Sequence, residues 1–238
     1  MGRVRLYVPQ PLEEGQSLMV EGPQAHYLFG VMRLSNGAEL EVFNGQSDGR
    51  LATVAEAGKR RGVLSLGTVA TPFQAPPDLW LLFAPIKKAR TDFIVEKSAE
   101  MGAARICPVS TDFTNSERIR QDRLQAHAVE AAEQCGGTYV PEVTDLLPLA
   151  RMLDTWPEDR ALILCDEGLA GEDLKGAELP STPAAILIGP EGGFSDAERA
   201  RLAELPFVTR ISLGPRILRA DTAVVAALAL WQSLKGDW

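Results

Sequence analysis

Short apolar runs alternate with longer mixed stretches along the last two thirds of the chain. The apolar runs predict strands over residues 79–84, 106–109, 161–165 and 184–188. The mixed stretches predict helices over residues 91–101, 118–134 and 197–205. Strands that alternate with helices are typical of a parallel sheet, and a continuously apolar strand is expected where both faces of the sheet are covered. We therefore predict an α/β domain over residues 78–238.

The first 70 residues show a different pattern. Segments 40–43, 51–54 and 63–66 alternate or run apolar between turn signals such as Asn36-Gly37 and Asp48-Gly49. This spacing indicates a meander of short strands. Three prolines then occur within residues 71–77, and proline favours an extended linker. The sequence thus predicts a small β domain over 1–70, a linker over 71–77 and the α/β domain beyond it.

The apolar run at 184–188 leads into a loop with the sequence GPEGGFS at 189–195. Its three glycines remove Cβ atoms, which permits positive φ or close approach to a ligand; they are Gly189, Gly192 and Gly193. Ser195 and Glu198 have the spacing of a capping box, so that a helix is expected to begin at Asp196. A glycine turn that simply ends a buried strand is the alternative interpretation.

The spacing of these glycines argues against common nucleotide signatures. They do not follow G-x-G-x-x-G, and no Lys-Ser or Lys-Thr pair follows them as in a P-loop. A dinucleotide or a triphosphate is therefore disfavoured. Glu191, inside the loop, would repel phosphate but suits a cationic or hydroxyl-rich ligand. An adenosyl sulfonium meets this condition.

A second strand, Gly-Pro turn and helix follow closely. Residues 211–213 predict the strand, Gly214-Pro215 the turn, and the helix shows a buried face with spacings of 3, 4 and 7. That face consists of Ala220, Ala223, Val224, Ala227, Leu228, Trp231 and Leu234. Arg219 in a first turn is disfavoured by the helix dipole. We expect it to contact a ligand or to pair with Asp221.

The two segments together resemble the bacterial 16S ribosomal RNA uridine-N3 methyltransferases of the SPOUT superfamily. The resemblance rests on GPEGGFS at 189–195 and LGPRILRADTA at 213–223. Supporting motifs are AHYL at 25–28, MRL at 32–34, FAPIKK at 83–88, EKSAEMG at 96–102, PVST at 108–111 and EAAEQ at 130–134. The resemblance implies a PUA-like β-barrel, then an α/β domain with a parallel sheet whose C-terminal chain forms a trefoil knot that binds S-adenosylmethionine.

The implied reaction is methyl transfer from S-adenosylmethionine to N3 of a uridine in 16S rRNA, within the small ribosomal subunit. A homodimer that completes the pocket across its interface is also implied. The cofactor residues by this resemblance are Ile188, Gly189, Pro190, Glu191, Gly192, Gly193, Leu213, Gly214, Ile217 and Leu218. Arg219, or Arg216, would stabilise negative charge on a uracil oxygen. Glu191 or Asp221 would accept the N3 proton.

Three positions depart from the family pattern. We expect a basic residue near Gly30, an arginine at Gly137 and a hydroxyl at Ala220. These departures concern RNA contacts more than cofactor binding. They leave room for a non-catalytic RNA- or ribosome-binding protein with the same fold. A small-molecule enzyme that uses an adenosyl cofactor is a third possibility, although it would not need the N-terminal domain.

The charge distribution bears on the RNA partner. The chain has 24 basic and 32 acidic residues and a net charge of −8, which would repel phosphate. Residues 126–238 carry 18 acidic and 9 basic residues, so the excess acid lies there. RNA contacts are therefore expected from local basic clusters. The candidates are Arg3, Arg5, Arg33, Lys87, Lys88, Arg90, Arg118 and Arg123, with the run 59–61 as a further cluster.

Cysteines and histidines predict no special chemistry. The three cysteines form no C-x-x-C pair and adjoin apolar stretches, so we expect buried, reduced thiols; they are Cys107, Cys135 and Cys165. His26 and His127 lack ligand spacing, so no metal site is expected. His26 matches the N-terminal motif of the family, but a structural role is the favoured interpretation for it. With no N-terminal apolar segment and no long apolar run, a cytoplasmic protein without a membrane span is expected.

Overall fold

The computed structural model describes residues 3–115, 118–171 and 179–238, which form two compact units. The first unit comprises Met1–Ala75 and Ala132–Val140, and the second comprises Pro76–Ala131 and Pro141–Trp238. The division expected at residues 71–77 stays a prediction. The sequence-based division did not assign residues 132–140 to the first unit.

The first unit contains one five-stranded sheet. Its strands are β1 (Arg5–Tyr7), β2 (Ser17–Glu21), β3 (Glu39–Phe43), β4 (Gly49–Glu56) and β5 (Arg61–Thr71). They lie in the order β1-β3-β4-β5-β2. The β1–β3 pair is parallel and the other pairs are antiparallel. Between β2 and β3 lie α1 (Gly22–Ala25) and a π-helix (His26–Val31). The predicted meander is confirmed within β3, β4 and β5.

The second unit contains a parallel sheet. Its strands are β6 (Leu79–Phe83), β7 (Arg105–Ser110), β8 (Glu142–Val143), β9 (Leu147–Pro148), β10 (Ala161–Cys165), β11 (Ala184–Ile188) and β12 (Val208–Ile211). Their order is β12-β10-β11-β6-β7-β8, and β9 also pairs with β7. The remaining helices are α2 (Lys88–Glu100), α3 (Gln121–Cys135), α4 (Leu149–Asp154), α5 (Asp196–Glu204) and α6 (Ala220–Lys235), with a 3₁₀ turn at Glu167–Leu169. The predicted α/β class is confirmed.

Strand β11 lies at the centre of this unit and is buried along its whole length. Alternate side chains of a strand point to opposite faces of the sheet. Ala184, Ile186 and Ile188 accordingly join the core formed with α2 and α6. Ala185 and Leu187 join the core formed with α4 and α5. The prediction that helices cover both faces of this strand is confirmed.

Four local predictions were wrong. The strand predicted over 211–213 ends at Ile211. Arg219 is the N-cap of α6, with extended backbone, so it precedes the first turn. Leu234 lies past the buried stretch of α6 and is 60% exposed, whereas Trp231 is buried. Cys135 is exposed, since it ends α3. Along the described part of the chain, no helix has the length and apolar character needed to cross a membrane.

Candidate functional site

The carboxyl ends of three neighbouring strands define a cavity in the second unit. Parallel strands β10, β11 and β12 lie side by side in register, so the loops that follow them meet at one edge of the sheet. Ligands of open α/β sheets bind at this edge. The loops enclose a cavity of about 310 Å³. The N-terminal end of α6 completes its wall.

The cavity brings the two Gly-Pro segments together. All the predicted cofactor residues line it except Gly192, which packs against Phe113 instead. Of the predicted catalytic residues, Glu191 and Arg219 line the cavity, as does Arg216. The loop after β12 is fastened to the loop after β10, because the Gly171 amide donates to the Gly214 carbonyl at 3.2 Å.

The glycines of the first loop make room for side chains of this chain. A Cβ on Gly189 would lie 2.8 Å from the Phe194 ring. A Cβ on Gly193, which has φ +70°, would overlap the Glu167 carboxylate. Intramolecular packing, rather than ligand approach alone, therefore requires glycine at these positions.

The predicted capping box of α5 is confirmed. The Ser195 hydroxyl accepts from the Glu198 amide at 3.3 Å, and the Glu198 carboxylate accepts from the Ser195 amide at 2.9 Å. Asp112 joins this arrangement, since its carboxylate accepts from the Ser195 hydroxyl at 2.6 Å and its amide donates to Glu198 at 3.0 Å. The end of the glycine loop is thereby held in place.

A third wall, formed by residues 165–170, was not predicted from the sequence. Its central residue is Asp166, whose side chain is 1% exposed. Asp166 accepts from Arg199 at 2.7 Å and from two nitrogens of Arg210 at 2.9 and 2.6 Å. Burial raises the pKa of Asp166, but hydrogen bonds from the Gly168 amide and the two arginines outweigh burial and lower the pKa overall. Asp166 is therefore a fixed anion at the cavity wall.

Arg90 links two of the predicted catalytic residues. Its Nη1 donates to the Glu191 carboxylate at 3.2 Å, and its Nε lies 3.8 Å from the Asp221 carboxylate. Asp221 therefore pairs with Arg90 and not with Arg219, which was the expected alternative. Asp221, the third predicted catalytic residue, does not itself line the cavity, although its neighbour in sequence, Ala220, does.

The candidate RNA-contacting cations fall into two groups. Five are exposed, namely Arg3, Arg33, Lys87, Lys88 and Arg118. Of these, Arg3 pairs with Glu39 at 3.4 Å. Arg123 is engaged, as it pairs with Asp92, and Arg90 is held by the two carboxylates described above.

Arg5 is a structural residue rather than an RNA contact. Its side chain is only 10% exposed and pairs with Glu41 at 3.1 Å. Its guanidinium lies 4.4 Å from the Phe43 ring centroid and donates to the carbonyls of Ala132 and Gly137. Because the Arg5 guanidinium is already bound by these groups inside the first unit, Arg5 is not available to contact RNA phosphates.

Comparison with known proteins places the chain in a class. The RNA methyltransferase domain family matches residues 74–232, and the RNA methyltransferase PUA domain family matches residues 20–66. The parallel sheet, the cavity at its edge and the separate β domain thus define an RNA methyltransferase with a PUA domain. The chain is 32% identical over 213 residues to ribosomal RNA small subunit methyltransferase E of Synechocystis sp., covering 87% of this chain and 69% of the relative. It belongs to the ribosomal RNA small subunit methyltransferase E family.

Two solved structures extend the likeness over the whole chain. A ribosomal RNA small subunit methyltransferase E from Neisseria gonorrhoeae, bound to S-adenosyl methionine, superposes with a TM-score of 0.90 at 28% identity, covering 100% of both chains. A putative methyltransferase from Legionella pneumophila, in complex with the cofactor SAM, gives a TM-score of 0.89 at 28% identity, again covering 100% of both chains.

Proposed function

We propose that the protein transfers the methyl group of S-adenosylmethionine to N3 of a uridine in 16S rRNA. The observation that carries this proposal is the cavity of about 310 Å³ at the carboxyl ends of β10, β11 and β12. It lies in a chain of the ribosomal RNA small subunit methyltransferase E family, whose Neisseria gonorrhoeae relative was crystallised with S-adenosyl methionine.

The residues of the cavity fit such a cofactor. Ile188, Leu213 and Leu218 supply apolar surface for an adenine ring. Glu167, whose side chain is 36% exposed, supplies a carboxylate that suits ribose hydroxyls, and the buried Asp166 fixes the wall behind it. Glu191 places a further negative charge at the mouth, which favours a cation. When bound, S-adenosylmethionine supplies a methyl group on a positively charged sulfur.

The chain's own residues would orient the uridine and handle its proton. The N3 nitrogen is nucleophilic only as its proton leaves, so a base within hydrogen-bond reach is needed. Glu191 and Asp221 are the candidate acceptors, and both face Arg90. Arg219 and Arg216, exposed at the cavity rim, would stabilise negative charge that develops on a uracil oxygen. Holding the reactants in near-attack geometry supplies the remaining catalysis.

Several finer features belong to the same proposal. We expect the C-terminal part of the chain to form a trefoil knot. We also expect a homodimer, the small ribosomal subunit as the form in which the rRNA is bound, and activity in the cytoplasm. Lys87 and Lys88, exposed at the start of α2 in the segment that follows β6, are the favoured phosphate contacts in the second unit.

Methylation of small ribosomal subunits that lack the modification tests this function. Purified protein is incubated with radiolabelled S-adenosylmethionine and either intact subunits or naked 16S rRNA. Primer extension then locates the product, because an N3 methyl group blocks base pairing. A single new stop at a uridine supports the proposal. Cofactor binding without methylation of either RNA would contradict it and favour the non-catalytic RNA-binding alternative.

A further inference from the structure

The first unit has a groove of its own, with a volume of about 740 Å³. One wall is the π-helix His26–Val31, which contributes His26, Phe29 and Gly30. The opposite wall is the turn that precedes β5, which contributes Lys59. The Ala57 amide donates to the Asn36 side chain at 2.7 Å, so this turn is fixed. The groove is thus a built feature of the unit.

The aromatic rings in the groove are placed by glycines. A Cβ on Gly62 would overlap the Phe29 ring, and a Cβ on Gly30 would lie 2.9 Å from Nδ1 of His26. His26 is exposed, while Phe29 is partly buried. Wider helical turns of the π type occur often at functional sites.

Basic residues lie in the groove and next to it in sequence. Lys59 lines the groove, and it and its sequence neighbours Arg60 and Arg61 are exposed. Arg33, exposed two residues after the π-helix and next in sequence to the lining residue Leu34, has φ +56° and is the non-glycine residue with positive φ among those described. An L-residue with a long side chain is disfavoured in this conformation. Such an outlier points to a functional constraint.

We propose that this groove binds an unpaired nucleobase of the substrate RNA. The rings of His26 and Phe29 would contact the base, while Lys59 and Arg33 would contact the flanking phosphates. Unpaired bases stack on aromatic side chains, whereas a duplex hides its base faces. A site that read only phosphate would need the cations but not the rings. The proposal rests on the proposed function for the identity of RNA as the substrate.

Binding of a fluorescein-labelled single-stranded RNA octamer to the full chain tests this proposal, with the duplex of the same sequence as comparison. We expect His26→Ala to weaken single-strand binding about tenfold. Arg33→Gly should weaken binding about fivefold. It should also reduce the slope of log affinity against log salt concentration by about one. Because glycine accepts φ +56°, this variant should unfold at the wild-type temperature or higher. Arg151→Gln removes an exposed cation of the second unit and should leave binding unchanged.

Three outcomes would overturn the proposal. They are wild-type affinity in both His26→Ala and Arg33→Gly, equal affinity for duplex and single strand, and competition by heparin as effective as competition by unlabelled octamer. Calorimetry with S-adenosylmethionine separates this test from that of the proposed function, because the cofactor cavity belongs to the second unit and its affinity should not change. If the wild-type protein bound the octamer through the groove but methylated no rRNA, only the proposed function would fail.

Discussion

Arg90 donates a hydrogen bond to Glu191 across 3.2 Å and directs its Nε toward Asp221. The two carboxylates proposed as proton acceptors thus share one guanidinium. The sequence placed Arg90 among the RNA contacts because it follows a strand within a basic run. In the structure it also positions the groups that surround the cavity mouth.

Replacing Arg90 tests this positioning role. We expect Arg90→Ala to lower kcat about 10- to 100-fold, since a small displacement of a reacting group carries such a cost. The Kd for S-adenosylmethionine should stay near its wild-type value, and Arg90→Lys should restore part of the turnover. Single-turnover methylation and calorimetry measure the two quantities. The control is Arg201→Ala, which removes an exposed ion pair with Asp154. If Arg90→Ala changed only the KM for RNA, Arg90 would instead be identified as an RNA contact.

Asp166 provides a prediction about stability. Its carboxylate is buried and accepts hydrogen bonds from two arginines. We expect Asp166→Asn to lower the free energy of unfolding at pH 7 by about 2 kcal/mol, the usual contribution of hydrogen bonds to a buried charged group. Urea denaturation measures this difference. Asp122→Asn, at an exposed pair with Arg120, should leave stability nearly unchanged.

The pH dependence of the same variant follows from the lowered pKa of Asp166. A carboxyl whose pKa is lower in the folded state stabilises the protein above its unfolded pKa. That contribution disappears as the pH falls through the folded-state value. The stability difference between wild type and Asp166→Asn should therefore shrink below about pH 3.9. Urea titrations at pH 7 and pH 3 that gave the same difference would argue against an ionised Asp166.

Gly193 and Gly214 form a matched pair for substitution. Both have positive φ, but a Cβ on Gly193 would overlap Glu167, whereas a Cβ on Gly214 would meet open space. Gly214→Ala should cost only backbone strain, about 1–3 kcal/mol. Gly193→Ala should cost more, because the Glu167 carboxylate, which pairs with Arg199, must also move. Thermal unfolding compares the stability of the two variants, and equal losses would show that backbone strain alone matters.

The three cysteines should differ in reactivity. Burial raises the pKa of Cys165 to about 12. Burial is also the largest of the causes that together raise the pKa of Cys107 to about 11. Thiolate is the reactive form, so neither should react at pH 8 in the folded protein. Cys135 is exposed. A thiol-specific reagent should thus label one cysteine in the native chain and three after denaturation, and Cys135→Ser should remove the native reaction. Rapid native labelling of a second thiol would contradict this assignment.

Local sequence patterns sufficed for elements that are defined by their own residues. Strand β11 is a continuous apolar run, and the start of α5 is specified by Ser195 and Glu198 through bonds within one turn. The two Gly-Pro loops were also apparent, because proline fixes φ and glycine permits the positive φ found at Gly193 and Gly214. Their meeting in one cavity was expected from the resemblance and is confirmed by the order of β10, β11 and β12.

Features that depend on distant partners could not be predicted. The wall at Asp166 arises because β10 lies between β11 and β12, an order that no local pattern contains. Arg5 has the appearance of a surface cation beside Arg3, yet its partners at Ala132 and Gly137 lie far along the chain. Strand β1 has only three residues, too few for a periodic pattern to appear.

The packing of the glycine loop has a consequence for how this sequence can diverge. Gly189 adjoins Phe194, Gly192 adjoins Phe113, and Gly193 adjoins Glu167. A mutation at one of these glycines is tolerated only if its neighbour becomes smaller or shifts, so the two positions are epistatic. Drift at Gly189 should therefore proceed by paired changes, with Phe194 altered first. Sequences that carry alanine in place of Gly189 should accordingly carry a smaller residue in place of Phe194.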